Sequence, residues 1–546
     1  MNRMRGNQDN SPSGGNGDGN SAENLSGISP YTPTELEHDQ PPMPESLLTD
    51  EAGGKSPGQP AGLWILFITE MWERFSYYGM RALLVLYLIA STSSMVENSS
   101  GEIVPNINPG FGWSEASAAI LYAIYTWAVY LTPIFGGWMA DKFLGTHRSM
   151  LIGGWIIALG HITLAGTELF GITAGEAVTL QTGPGALLIF LTGLALIVIG
   201  TGFFKPCVSV MVGQLYGPHD DARRDAGFTF FYMGINLGAF LSPLIAGTLG
   251  QKVGWHWGFG SAAVGMILGL LFYQFFRPKY LAGIGLSPKQ VVDDLASGKT
   301  QLTEHEKTEL NRPLNAIDWQ RLMVILILAF VGNIFFWAAF EQAGSSLNVF
   351  AEKQTNRVLF GYEFPSTWYQ SVNALTIVIF APLFSMLWVW LGKRNANPST
   401  PLKFAISLWL LGLAFIAMVL GAIDANTNGL ASPHWLLVTY VVCTWAELCL
   451  SPVGLSMITK LAPLRLQSLM MGAWFFSFSL ANLAGGLLAA LSTKFKPGEN
   501  GEPADLSFIL DGLPGFFLLL VILPTSAGFI LLVLTPMLKR MMHGVK

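Results

Sequence analysis

The sequence predicts an all-α membrane protein with twelve transmembrane helices in two six-helix bundles. Three observations carry this expectation. Of 546 residues, 51% are apolar and 12% charged, and that charge is about half of the ~25% usual in soluble globular chains. From Leu63 onward the chain is a succession of nearly charge-free runs, each near the ~20 residues a helix needs to cross a ~30 Å hydrocarbon core. The longest polar connection, Arg277 to Arg321, divides those runs six and six.

The first six runs centre on Leu63 to Leu88, Ala116 to Trp138, Met150 to Phe170, Ala186 to Val212, Phe228 to Leu249 and Phe259 to Phe276. The second six centre on Leu322 to Ala343, Trp368 to Leu391, Leu402 to Leu420, Trp435 to Leu461, Leu469 to Leu491 and Phe516 to Leu538. Proline and glycine interrupt several of them, which membrane helices tolerate. Placing both termini in the cytoplasm puts sixteen Lys and Arg on that side's loops and five on the other, the bias that orients multi-pass proteins.

Residues 1–60 hold nine acids and three bases among Asn, Ser, Gly and Pro. They lack the apolar residues to offset ordering entropy and read as a disordered acidic cytoplasmic tail without a cleaved signal peptide. The layout that follows is an N-terminal six-helix bundle over 61–276, a cytoplasmic linker over 277–321, and a C-terminal six-helix bundle over 322–546. Within the linker, Ser287-Pro288 heads a short amphipathic helix, Lys289 to Leu295, which either only joins the bundles or also regulates their motion. Beyond the tail, 27 bases and 26 acids leave a net +1, which excludes a nucleic-acid binder working by bulk positive charge. Cys207, Cys443 and Cys449 all fall in apolar runs with no CxxC or Cys/His spacing, so neither a disulfide framework, a metal site nor another cofactor is expected. The spans also lack a Ser/His/Asp set, HExxH or a phosphate-cradling loop, which argues against an enzyme.

An ionisable side chain at helix-centre depth costs roughly 2.5 to 3.5 kcal/mol, so each needs a partner, a wet cavity or a task. Seven carboxylates, lysines and arginines stand at that depth: Glu70, Glu73, Arg74, Arg81, Lys205, Glu341 and Glu447. On the first span Glu70, Glu73, Arg74, Tyr77, Tyr78 and Arg81 follow the i, i+3, i+4, i+7, i+8, i+11 spacing of one helix face, and that face must look into a cavity. The plainer alternative is that Glu70, Glu73 and Arg74 only neutralise one another. Lys205 precedes Pro206 in a glycine-rich stretch, where it either changes protonation state or is held by backbone carbonyls.

In the second half Asn333, Trp337 and Glu341 share one face by spacing, as do Glu447, Ser451 and Gly454. Glu341 and Glu447 are proton binders or static partners of Arg81 or Lys205. The buried groups sum to +1 in the first half and −2 in the second. A cavity between the halves would therefore take a zwitterion, its carboxylate toward Arg74, Arg81 and Lys205 and its amine toward Glu341 or Glu447. Tyr125, Asn236, Asn373 and Ser477 could add hydrogen bonds and Tyr77, Tyr78, Trp337 and Trp474 aromatic faces, although ordinary interhelical packing explains such residues equally well.

Several motifs resemble the proton-dependent oligopeptide transporters, a branch of the major facilitator superfamily. Glu70-Met-Trp-Glu73-Arg74-Phe75-Ser-Tyr77-Tyr78-Gly79 is similar to that family's ExxERFxYYG, and Phe231-Tyr232-Met-Gly-Ile235-Asn236-Leu-Gly238 to its FYxxINxG. Gly136-Gly137-Trp-Met-Ala-Asp141-Lys142 through Arg148 resembles the superfamily's loop between spans two and three. Phe336-Trp337 to Gln342 and Glu447 to Gly454 resemble the seventh and tenth spans.

The resemblance implies the major facilitator superfamily fold in the cytoplasmic (inner) membrane and a symporter that imports di- and tripeptides with protons by alternating access. It assigns proton coupling to Glu70, Glu73, Arg74, Lys205 and Glu341. It assigns the peptide carboxylate to Arg74, Arg81 and Lys205, the amino end to Asn236, Asn373 and Glu447, and the remaining contacts to Tyr78, Tyr125, Trp474 and Ser477. Two departures stand out. The second span lacks the histidine of animal members, which puts coupling on carboxylates and Lys205, and the linker lacks apolar runs for two further helices. A carrier of drugs or nitrate and a peptide sensor that moves nothing are the rival readings.

Overall fold

The computed structural model describes residues 59–97, 102–216, 221–286, 313–463, 466–497 and 504–545. Most of the expected tail and the linker segment 289–295 lie outside the described residues. The chain is an all-α bundle of long apolar helices. In the first half these are α1 (Ala61–Ile89), α2 (Glu115–Met139), α3 (Thr146–Ala165), α4 (Pro184–Gly213), α5 (Asp221–Thr248) and α6 (Trp255–Tyr280). The seventh span is broken into α7 (Ala316–Ile327), a π-turn over Leu328–Asn333, α8 (Ile334–Phe340), a 3-10 turn over Glu341–Gly344, and α9 (Ser346–Lys353). Then come α10 (Trp368–Lys393), α11 (Thr400–Asn428), α12 (His434–Leu461), α13 (Gln467–Leu491) and α14 (Leu513–Met541).

Nine of the twelve predicted runs fall inside one of these helices; Met150 to Phe170 and Phe228 to Leu249 run past the ends of α3 and α5, and Leu322 to Ala343 spans the broken seventh span. Eleven helical segments are long and apolar enough to cross a membrane by length and composition alone; α1 is the further long helix, and it carries four ionisable residues. The seventh span departs most from the expected Leu322 to Ala343, because the chain turns tightly after Glu341 and resumes as α9. Two hairpins in the connections were not predicted: Met95–Glu97 (β1) with Ile103–Pro105 (β2), and Val358–Leu359 (β3) with Tyr362–Glu363 (β4). The second turns through Phe360 and Gly361, both at positive φ, the geometry that matches the twist of a two-residue hairpin.

Packing follows close backbone approach rather than large side chains, as expected where lipid supplies no hydrophobic drive between helices. A Cβ added at Gly200 on α4 would lie 2.6 Å from the Gly153 carbonyl oxygen on α3. The buried cores segregate by half. One draws only on residues 322–542, and two draw on residues 63–284 with Val349 of α9 inserted into one of them. The halves meet where α2 packs on α13, α5 on α10, and α1 on α9. The Tyr130 and Phe478 rings stack across the first of these seams at 5.8 Å.

Candidate functional site

Helical spacing on α1 turns one charged stripe inward. Glu70, Glu73, Arg74, Tyr77 and Arg81 are buried and Tyr78 is half-buried. Arg74 Nε lies 2.7 Å from Glu70 Oε1 and 2.8 Å from Glu73 Oε2, so both carboxylates share one guanidinium. Arg81 points to the other half instead. It ion-pairs with Glu341 at the 3-10 turn of the seventh span, and its Nε donates to Tyr122 Oη of α2 at 2.7 Å. The same hydroxyl donates to Glu341 Oε2 at 3.4 Å.

Lys205 on α4 has no carboxylate within ion-pair distance among the described residues; its Nζ sits 3.6 Å from the centroid of the Tyr130 ring. In the second half Glu447 of α12 accepts from Asn373 Nδ2 of α10 at 3.1 Å, and that amide also donates to Thr444 Oγ1 at 2.9 Å. The inward faces thus keep the opposed charge expected from the sequence: arginine and lysine on the first half, Glu447 on the second. The Tyr77 and Tyr125 hydroxyls are buried near Arg81 with no hydrogen-bond partner among the described residues. An unpartnered buried hydroxyl costs about 1–3 kcal/mol, so a polar ligand that bonds to it gains that much.

Other predicted residues sit deeper. Asn236 donates to the Tyr232 carbonyl one turn back at 2.9 Å. Trp474 is 1% exposed within the second-half core, edge-on to Phe404. Ser477 Oγ accepts from Asn333 Nδ2 at 2.8 Å and donates to the Trp474 carbonyl. Spacing placed Asn333, Trp337 and Glu341 on one face. Within that one helical stretch Asn333 and Trp337 pack toward α13, while the Glu341 side chain at its end reaches α1 and α2.

Sequence reasoning missed Tyr122, Tyr130 and Thr444. The signal for Tyr122 was available, since it stands three residues before Tyr125 on the same face of its span. It also missed a set of contacts joining the halves at the face away from Ala61 of α1 and Met541 of α14. Glu115 pairs with Lys353 at 2.9 Å and with Lys496. Gln251 Nε2 donates to Glu352 at 2.8 Å and to Ser366 at 3.1 Å, and Asn348 Nδ2 donates to the Ala82 carbonyl at 2.9 Å. Beneath them Ser345 is 1% exposed. These contacts tie the two halves together on that face.

A family model described as "PTR2: POT family" matches residues 147–283 and 286–502. The chain belongs to the POT family. It is 38% identical to the uncharacterized transporter YclF of Bacillus subtilis (strain 168), over 89% of this chain and 96% of that one. It is 36% identical to the di-/tripeptide transporter of Lactococcus lactis subsp. cremoris, over 85% and 95%. Among solved structures, a mutant of peptide transporter POT in complex with alafosfalin superposes with a TM-score of 0.70 at 37% identity, covering 89% of this chain and 97% of that chain. A POT family transporter in complex with 5-aminolevulinic acid gives 0.69 at 29% identity, over 88% and 97%. This POT family member is thus a multi-pass membrane protein with the fold the sequence predicted.

Proposed function

We propose that this POT family member is a proton-coupled symporter that imports di- and tripeptides across the cytoplasmic membrane, with both termini in the cytoplasm. The observation that carries the reading is the Arg81–Glu341 ion pair, one charge from each half, next to an inward face with opposite charge on its two sides. The peptide carboxylate meets Arg74, Arg81 and Lys205, and its amino end meets Glu447 with Asn373 and Asn236. Tyr78 and Tyr125 contact its backbone, while Trp474 and Ser477 shape the pocket from behind. Glu70, Glu73, Arg74, Lys205 and Glu341 form the proton-linked set.

Transport proceeds by rocking of the two six-helix halves, 61–276 and 322–546, about this site. In the described conformation the outer contacts tie the two halves together. Protonating Glu341 removes the attraction that holds Arg81, and a bound zwitterion supplies replacement charges. A ligand or proton shifts such an equilibrium only by its differential affinity for the two states. The names and ligands of the relatives support this reading, as do their identity to this chain and its sixteen-to-five excess of positive charge on one side.

The test is uptake of labelled dialanine into proteoliposomes holding the purified protein, with and without an inward proton gradient. Accumulation above equilibrium that an uncoupler abolishes is the expected result. Uptake that an uncoupler leaves unchanged would remove the proton coupling, and folded protein that neither accumulates nor exchanges dialanine would remove the substrate class.

A further inference from the structure

Three elements from two halves converge on one hydroxyl. Tyr122 sits on α2 and is 1% exposed. Its oxygen accepts from Arg81 Nε of α1 and donates to Glu341 Oε2 of the seventh span, so the one group completes both members of the ion pair. The site is built to admit it: a Cβ at Gly344, the last residue of the 3-10 turn, would overlap the Tyr122 hydroxyl and lie 3.0 Å from Arg81 Nε. A hydrogen bond to an ionised partner is roughly twice as strong as a neutral one, and burial of Tyr122, Arg81 and Glu341 strengthens both electrostatically.

We propose that Tyr122 is the positioning residue of the gate: its hydroxyl orients Arg81 and Glu341 toward each other and thereby sets how readily the outer mouth opens. The inference deepens the transport reading and rests on its assignment of Arg81 and Glu341 to the gate. The geometry supplies the reason. Arg81 is a long side chain with several rotamers, and fixing its Nε on Tyr122 leaves the terminal nitrogen Nη2 facing Glu341 Oε2. When Glu341 loses its charge, Tyr122 still gives Arg81 Nε an acceptor and holds it in place, while the countercharge comes from the bound zwitterion.

The experiment places a reporter under the outer contacts, Ser345→Cys, and measures its labelling by a membrane-impermeant maleimide applied from the outer side. The native Cys207, Cys443 and Cys449 are buried, and the parent without the reporter gives their background. Tyr122→Phe, which removes only the hydroxyl, should raise the labelling rate about tenfold, the factor expected for losing one hydrogen bond to a charged group. Glu341→Gln should raise it at least as much, and the Tyr122→Phe/Glu341→Gln double variant should label no faster than Glu341→Gln alone, since the two act through one interaction. Gly344→Ala, which displaces the hydroxyl while leaving it present, should behave like Tyr122→Phe. Parental labelling in both Tyr122→Phe and Gly344→Ala overturns the proposal, and so does a double variant whose effect is the product of the two singles. Because labelling asks nothing about the substrate, a protein that gives the expected pattern but accumulates no dialanine fails the transport reading and leaves this one standing.

Discussion

The Lys205 ammonium rests against the face of Tyr130, 3.6 Å from the ring centroid, while Glu70 and Glu73 are both taken by Arg74. Tyr130 therefore holds the lysine while no carboxylate is available to it. A desolvated cation–π contact is worth up to ~2 kcal/mol and depends on the ring rather than the hydroxyl. Tyr130→Phe should keep dialanine uptake within about threefold of the parent, whereas Tyr130→Leu should reduce it at least tenfold. Equal loss in both variants would assign the effect to the hydroxyl.

Asn373 and Glu447 form a cross-helix pair, with Tyr78 and Tyr232 of the first half near the Glu447 carboxylate. Glu447→Gln should lower the affinity for dialanine by at least tenfold, the loss of about 1.5–3 kcal/mol for a charged hydrogen bond. It should leave N-acetyl-dialanine, which carries no amino charge, unaffected. Competition binding with the two ligands checks this, and a parallel loss for both would remove Glu447 from amine recognition.

Arg81→Ala strands Glu341 in a buried position. Removing one member of a buried pair costs about 3–5 kcal/mol, so the melting temperature in detergent should fall markedly. The Arg81→Ala/Glu341→Gln double variant should recover most of that loss, since no buried charge then remains. A double variant melting as low as Arg81→Ala would show that Arg81 stabilises through packing instead.

Glu115 takes Lys353 and Lys496 together, and the Lys353 side chain is about half exposed (49%). Exposed pairs contribute about 0–1 kcal/mol and are screened by salt. Glu115→Gln should speed labelling of Ser345→Cys by no more than about fivefold at low ionic strength, and by nothing measurable at ~1 M salt. A large, salt-independent effect would make this outer contact, rather than Arg81–Glu341, the principal closure.

The sequence by itself determined the fold class, the number of spans and the inward stripe of α1. Each follows from one-dimensional quantities: the length a helix needs to cross lipid, the cost of a charge there, and the 3.6-residue period that aligns Glu70, Arg74 and Arg81. It also marked Glu341 and Glu447 as charges needing partners. Which partner each one takes was decided only by the tertiary structure, because Arg81 and Glu341 are 260 residues apart and either acid could have met either base. The break after Glu341 is likewise invisible to periodicity, and only the packed structure shows its carboxylate meeting α1 and α2 while Asn333 and Trp337 meet α13. Tyr130 reads in sequence as an ordinary apolar-span aromatic, and the spacing of Tyr122 from Tyr125 says nothing of which charges it meets. Packing of α2 between α1, α4 and α13 is what gives one an ion pair to hold and the other a lysine.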